Sequence, residues 1–134
     1  MGVKTIGEGI GTRLKTIRGL RVYAPHQLKG VLELPCALIL PGEDIYATAF
    51  DGVYDCIFRI VVCISKQDTP SAFTGLLEYI EPTGAKSIFA AIDGDKTLNG
   101  SCSASKLARN LGVGSTMWGG IGYLSTEFEL QVWS

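Results

Sequence analysis

The chain has 134 residues, of which 46% are hydrophobic and only 19% charged, with a formal net charge of −1. This length predicts a single domain spanning residues 1–134, and the lack of a basic excess excludes tight electrostatic binding to nucleic acid. The longest apolar run, Ile60–Ile64, is too short to span a membrane, and no signal peptide opens the chain, so we expect a cytoplasmic protein without membrane contact.

The low share of charged residues slightly favours a protein that buries apolar surface against other copies of itself. A compact core accounts for the same composition, so this observation alone does not decide the oligomeric state.

The first predicted element is an amphipathic helix. Arg18 followed by Gly19 predicts its end, because glycine readily adopts the left-handed conformation after a basic last turn. Gly7, Gly9 and Gly11 each weaken the helix by about 1 kcal/mol relative to alanine, so we expect it to be stable only when docked. Five apolar residues recur at steps of three and four and share one helical face: Val3, Ile6, Ile10, Leu14 and Ile17.

Two strands follow in the prediction. Leu20–Tyr23 forms a short one, and Pro35–Pro41 is an apolar strand whose prolines mark its ends, since proline donates no ladder hydrogen bond. An acidic loop is then expected over Gly42–Gly52, within which Ile45–Phe50 is compatible with a short edge strand. Asp51-Gly52 predicts a hairpin-type turn into an antiparallel partner.

That partner, predicted through Ser65, is the strand around which we expect the chain to be organised. One of its faces is apolar throughout and is predicted to be core: Tyr54, Cys56, Phe58, Ile60, Val62 and Ile64. The opposite face begins mixed and becomes apolar. We therefore expect Ile57, Val61 and Cys63 to be covered too, by the N-terminal helix, the helix containing Phe73 or a neighbouring subunit.

Two helices are predicted next. Thr69 or Asp68 caps the first, which begins at Pro70 and ends before Pro82. Its predicted contact stripe is Phe73, Leu76, Leu77 and Ile80. The second spans Ala85–Asp93, and its predicted contacts are Ile88, Phe89 and Ile92.

The C-terminal third returns to strands. Ser103–Leu111 is a weakly patterned strand, and Gly112–Gly122 is either a flexible connection or a hairpin tip around Trp118. In the last strand, Leu124, Phe128, Leu130 and Val132 share one face, and Tyr123, Glu127, Glu129, Gln131 and Trp133 share the other. The order of elements predicts an α+β domain, a mainly antiparallel sheet with helices packed on one face.

The residue pattern predicts no catalytic, cofactor or metal site. The cysteines Cys36, Cys56, Cys63 and Cys102 lack metal-ligand spacing and are expected to be buried free thiols, and the only histidine is His26. The glycine-rich segments lack the order of a phosphate loop, and the acids near Glu43 lack the spacing of a calcium loop.

Three stretches together resemble the tail terminator (tail completion) proteins of long-tailed bacteriophages. They are GLRVYAPHQL at Gly19–Leu28, the long strand ending in ISKQD with the helical LLEYIEPTGAKSIFAAI, and the closing WGGIGYLSTEFELQVW. The resemblance implies a structural role without catalysis or cofactor. It implies a homo-oligomeric ring, usually of six subunits, that ends polymerisation of the tail tube protein and meets the head-tail connector protein in the virion.

A ring through which DNA passes without specific binding should present a neutral or acidic lumen. The expected lumen or tube-facing residues are Glu43, Asp44 and Asp51 in the acidic loop and the pair Glu127 and Glu129. The expected subunit-interface residues are Trp118, Tyr123 and Trp133; for Trp118, an exposed contact, an interface anchor and burial in its own core all remain open. Other phage neck, connector or tube subunits remain alternatives, as does a small enzyme or ligand-binding domain with a polar pocket near His26 or the acidic loop.

Overall fold

The structure is a computed structural model that describes residues 3–24, 32–45, 55–66 and 70–133. Five strands form one sheet in the order β1-β2-β3-β5-β4, in which only the β1–β2 pair is parallel. The predicted α+β class is therefore confirmed, with β3 at the centre of the sheet. The elements in chain order are α1 (Val3–Leu14), β1 (Arg21–Tyr23), β2 (Cys36–Ile45), β3 (Asp55–Ser65), α2 (Pro70–Ile80), α3 (Ile88–Asp93), β4 (Ala104–Trp118) and β5 (Ile121–Trp133).

All three helices cover one face of the sheet. Of the predicted apolar stripe, Ile6, Ile10, Leu14 and Ile17 are buried and join residues of α2 and α3 in a single cluster on that face, whereas the side chain of Val3 lies outside the described part of the chain. The predicted core face of β3 from Cys56 onward lies in this cluster with the predicted apolar face of β5, since β3 and β5 pair side by side; Tyr54 lies outside the described residues. The sheet residues of the cluster are Ala37, Ile39, Cys56, Phe58, Ile60, Val62, Leu124, Phe128, Leu130 and Val132.

A second, smaller cluster lies on the opposite face at one end of the sheet. Val61 and Cys63 are buried there, so the later half of this face of β3 is covered as expected. The expected cover by the N-terminal helix or by α2 is wrong, because both helices pack on the other face. The cover comes instead from Leu32 and from the β4–β5 hairpin, whose Tyr123 is buried in the cluster.

The helix α1 ends at Leu14, four residues before the predicted end, and turns then lead to Gly19 at φ 83°. Ile17 lies beyond the helix yet remains buried. A Cβ atom on Gly9 would overlap the Leu98 carbonyl oxygen and the Ser101 side chain. This glycine therefore lets α1 approach the turn before β4 closely, a packing reason that outweighs its poor helix propensity.

The strand β2 continues through Pro41 to Ile45, so the predicted end at Pro41 is wrong, and Gly42–Ile45 is strand rather than loop. The register with β3 shifts between Pro41 and Asp44. The parallel partner β1 pairs only with Cys36–Leu38, and no other described residue pairs with that side of β2. On a strand with one unpaired side, a proline whose nitrogen faces that side costs no ladder hydrogen bond, so Pro41 is compatible with this position. The predicted turn at Asp51 lies outside the described residues.

The two later helices bury part of their predicted faces: Leu76 of α2 and Ile88 and Ile92 of α3 are buried as predicted, but each helix also buries a residue outside the predicted set. In α2 the buried residues are Leu76 and Tyr79, whereas Phe73 and Leu77 are exposed. The apolar and aromatic residues of α2 are spread around much of the helix rather than confined to one stripe. Periodicity alone therefore does not identify which of them are buried. In α3, which begins after the Ser87 cap, Ala91 is buried and Phe89 is exposed.

The glycine-rich stretch near the C-terminus is mainly strand, and of the two predicted alternatives the hairpin tip is correct. Gly119 and Gly120 form a two-residue turn with φ of 59° and 82°, as a type I′ hairpin requires. The sheet pairing of β3 ends at Leu124, so the three residues before it in β5 extend past β3. The hairpin thus projects from the sheet by about 10 Å, at about 3.4 Å per residue.

Candidate functional site: the β-hairpin and the open face of the sheet

An exposed apolar surface lies between the β4–β5 hairpin and α2; we call it the hairpin patch and define it as Phe73, Val113 and Met117. Phe73 from α2 and Val113 from β4 line the same open groove of about 620 Å³, together with Leu124. Met117 is 67% exposed, and its Sδ atom lies 3.3 Å from where a Cβ of the groove-lining Gly122 would be. Exposed apolar side chains grouped in this way typically mark a protein contact surface.

The patch lies beside an edge of the sheet. Strand β4 is outermost, and no other strand of the described chain pairs with its outer side. Two register shifts interrupt β4, one between Leu107 and Arg109 and one between Asn110 and Val113. Gly112 stands at the second shift with φ 94°, the left-handed conformation that glycine adopts without strain. Such bulges discourage indiscriminate strand pairing, so the edge favours contacts made through side chains.

The open face of the sheet, opposite the helices, carries a row of paired charges. Arg59 of β3 donates to Glu127 of β5 over 2.5 Å, and Arg109 of β4 donates to Glu129 over 2.9 Å. The hydrogen bond to Glu127 raises the pKa of Arg59. Each of the two predicted acids is therefore balanced by an arginine, so this row is neutral rather than acidic.

The structure brings together only two of the five expected lumen residues. Glu127 and Glu129 lie on the same face as predicted. The backbone of Asp44 pairs with Cys56 of β3, which in turn pairs with Val132 near the C-terminal end of β5. The side chains of Glu43 and Asp44 lie outside the described part of the chain. Asp51 also lies outside it. The assignment of these residues to a lumen or tube-facing surface stays a prediction.

The three expected interface residues do not form one surface. Trp118 is half-buried and packs against the smaller cluster, and its role as an exposed contact, an interface anchor or a core residue stays a prediction. Tyr123 is 1% exposed, and its hydroxyl has no hydrogen-bond partner among the described residues. Trp133 is half-buried at the opposite end of β5 from Tyr123, about 33 Å away at strand rise.

The residues of the hairpin patch and the two arginines were missed by the sequence prediction. The sequence predicts Phe73 as a core contact, and it places Val113 and Met117 in a glycine-rich segment that is either a flexible connection or a hairpin tip. A weak signal was present, because Val113, Ser115 and Met117 alternate with smaller or polar residues at the period of a strand. Nothing local indicates that Arg59 faces Glu127, since these residues lie 68 positions apart in the chain.

Within residues 3–24, 32–45, 55–66 and 70–133, no group of three or more His, Cys, Asp or Glu side chains is placed to hold a metal ion. His26 is not among these residues. The helices of the same ranges include none long and apolar enough to cross a membrane.

No protein-family model matches the sequence, and no curated protein matches it. The resemblance to tail terminator proteins thus rests on the order and spacing of the three stretches described above.

Proposed function

We propose that this protein is a structural subunit of a long-tailed bacteriophage virion, assembled in the bacterial cytoplasm. It forms a homo-oligomeric ring of about six copies at the head-proximal end of the tail. There it ends polymerisation of the tail tube protein and offers a surface to the head-tail connector, without catalysis. The hairpin patch is the observation that carries this proposal.

The organisation of the fold supports the proposal. The three stretches that carry the resemblance fall on three parts of the fold: β1, the segment from β3 through α2 to α3, and the hairpin tip with β5. All three contribute strands to the single sheet. The resemblance therefore involves three separate parts of the fold rather than one local motif.

The hairpin patch accounts for subunit contact. Its exposed apolar side chains lie at one end and one edge of the sheet, and in a ring a second copy seated there contacts it through a different surface of its own. Repeated contacts of this head-to-tail kind close into a ring when the rotation between copies permits it. The two shifts in β4 disfavour open-ended strand addition, which would produce fibres rather than a closed ring.

The neutral open face fits a surface past which DNA moves. Phosphate groups bind cations that are free to approach them, and ion pairing with Glu127 and Glu129 reduces the attraction that Arg59 and Arg109 exert. The acidic segment is tested separately by reversing Glu43 and Asp44 to lysine in the phage. Unchanged tail length and infectivity in that double variant would count against a functional role for the segment.

The oligomeric state tests the ring directly. Mass measurement at micromolar concentration, combined with negative-stain images, is expected to give rings for a terminator and long tubes for a tube subunit. The Met117→Ser variant should shift the distribution toward monomer. The matched control is Phe89→Ser, because Phe89 is also an exposed apolar residue but lies on α3 beside a separate pocket lined by Leu107.

Co-expression with the tube protein of the same phage tests termination itself. A terminator should cap tube ends and set the tube length, and the Met117→Ser variant should cap poorly. A protein that neither forms rings nor binds tube ends is not a terminator. A defined ligand in a polar pocket would then favour the binding-domain alternative.

A further inference from the structure

Two cysteines face each other on neighbouring strands at one end of the sheet. Cys36 of β2 and Cys63 of β3 are register partners in an antiparallel pair. Both side chains point to the open face, where each is 0% exposed within the smaller cluster. The two residues lie 27 positions apart, so only strand pairing brings them together.

The spacing of such a pair suits a covalent link. Directly opposed residues of antiparallel strands have Cα atoms about 4.5 or 5.5 Å apart, depending on the hydrogen-bonding class. Both values fall inside the range of about 4.4–6.8 Å found in disulfides. The other two cysteines lack this arrangement: Cys56 lies on the opposite face, and the Cys102 thiol donates to the Lys96 and Thr97 carbonyls.

The pair is also chemically asymmetric. A hydrogen bond between the side chains lowers the pKa of Cys36, and the same bond, together with burial, raises the pKa of Cys63. The thiolate is the reactive form of cysteine, so Cys36 is the member suited to attack and Cys63 the member suited to resolve the product.

We propose that Cys36 and Cys63 are a redox-active pair that closes a reversible disulfide between β2 and β3 when a peroxide oxidises the protein. The Cys36 thiolate attacks one oxygen of hydrogen peroxide, the O–O bond breaks, and the departing hydroxide takes a proton to become water. The Cys63 sulfur then attacks the Cys36 sulfenic acid, and the S–O oxygen leaves as a second water with the Cys63 proton. Two thiols lose two electrons, and one peroxide becomes two waters.

Access sets the rate of this reaction. Because both sulfurs are fully buried, peroxide reaches them only when the cover contributed by Leu32 and Tyr123 opens locally. The reaction is therefore slower than at an exposed thiol, and thiol reductants restore the pair on a similar time scale. This inference concerns the folded subunit and does not depend on the proposed function.

The test counts free thiols in the intact folded protein. The reduced protein is held with hydrogen peroxide under native conditions, then unfolded in the presence of N-ethylmaleimide and weighed by mass spectrometry. Of its four cysteines, two are expected to remain free after oxidation, and dithiothreitol should restore all four. Trypsin should leave peptide 30–59 joined to peptide 60–66, since Cys63 is the only cysteine in the latter.

Single variants identify the partners. Cys36→Ser and Cys63→Ser should each abolish the link, whereas Cys56→Ser and Cys102→Ser should retain it; the Cys56 control also resolves peptide 30–59, which contains two cysteines. Four free thiols after prolonged oxidation, a link to another cysteine, or sulfinic acid without a link would each overturn the proposal. If a variant fails to fold, fragmentation of the linked peptides from the wild type shows whether Cys36 or Cys56 is joined to Cys63 and so decides the proposal.

Discussion

Substitution of Gly9 by alanine separates local helix propensity from tertiary packing more clearly than any other change in this chain. By propensity alone, Gly9→Ala should stabilise α1 by about 1 kcal/mol. The structure predicts the opposite. The new Cβ would lie 2.9 Å from the Ser101 Cβ and closer still to the Ser101 Oγ and the Leu98 carbonyl oxygen.

Little of this overlap can be relieved by side-chain movement. The Leu98 oxygen belongs to the backbone of a turn in which Leu98 and Asn99 both have positive φ, and Asp95 accepts hydrogen bonds from that turn. The Ser101 hydroxyl is buried and donates to the same Leu98 oxygen over 2.7 Å. Overpacking of this kind costs about 3 kcal/mol at the upper end of its usual range. After the propensity gain of about 1 kcal/mol, the free energy of unfolding should fall by about 2 kcal/mol.

Urea unfolding followed by circular dichroism measures this difference. The matched control is Gly75→Ala in α2, where no heavy atom lies within 4 Å of the new Cβ, and a gain of about 0.5–1 kcal/mol is expected. Gly11→Ala, with its nearest atoms at 3.6 and 3.7 Å, should not destabilise α1. If Gly9→Ala is as stable as the wild type while Gly75→Ala gains stability, the close approach of α1 to the turn is wrong.

Three further predictions use the same unfolding assay. Ser87→Ala removes the cap of α3 and should cost about 1–2 kcal/mol, whereas Thr74→Ala, an exposed hydroxyl in mid-helix, should change stability by less than about 0.5 kcal/mol. Glu129→Gln breaks an ion pair with a largely exposed arginine and should cost less than about 1 kcal/mol; a larger loss would mean that the charge row is a structural network. A side-chain hydrogen bond from Thr97 lowers the pKa of Asp95, so its contribution is complete above the unfolded-state pKa of about 3.9 and is lost as the pH falls through the lower folded-state pKa. The stability difference between wild type and Asp95→Asn should therefore be constant above about pH 5 and shrink below about pH 4, and a difference that persists in strong acid would contradict this assignment.

Sequence reasoning predicted well those elements in which the spacing of apolar residues indicates the buried face. The alternation along β3 and β5 correctly assigned their core faces, and the start of α2 at Pro70 follows from local backbone chemistry. The candidate site was predicted less well. The face shared by Glu127 and Glu129 followed from their spacing, but the exposure of Phe73 and Met117 did not, because it depends on where the helix layer ends over the sheet.

Taken alone, the amino-acid sequence determined the fold class, the order of the elements and which side chains share a strand face. Those properties depend on backbone periods of two and 3.6 residues, which a short stretch of chain already expresses. Only the tertiary structure decided that Gly9 is required by a neighbouring turn, that Arg59 neutralises Glu127, and that Cys36 meets Cys63. Each of these depends on strand register or helix docking between distant segments, and no local pattern specifies that pairing.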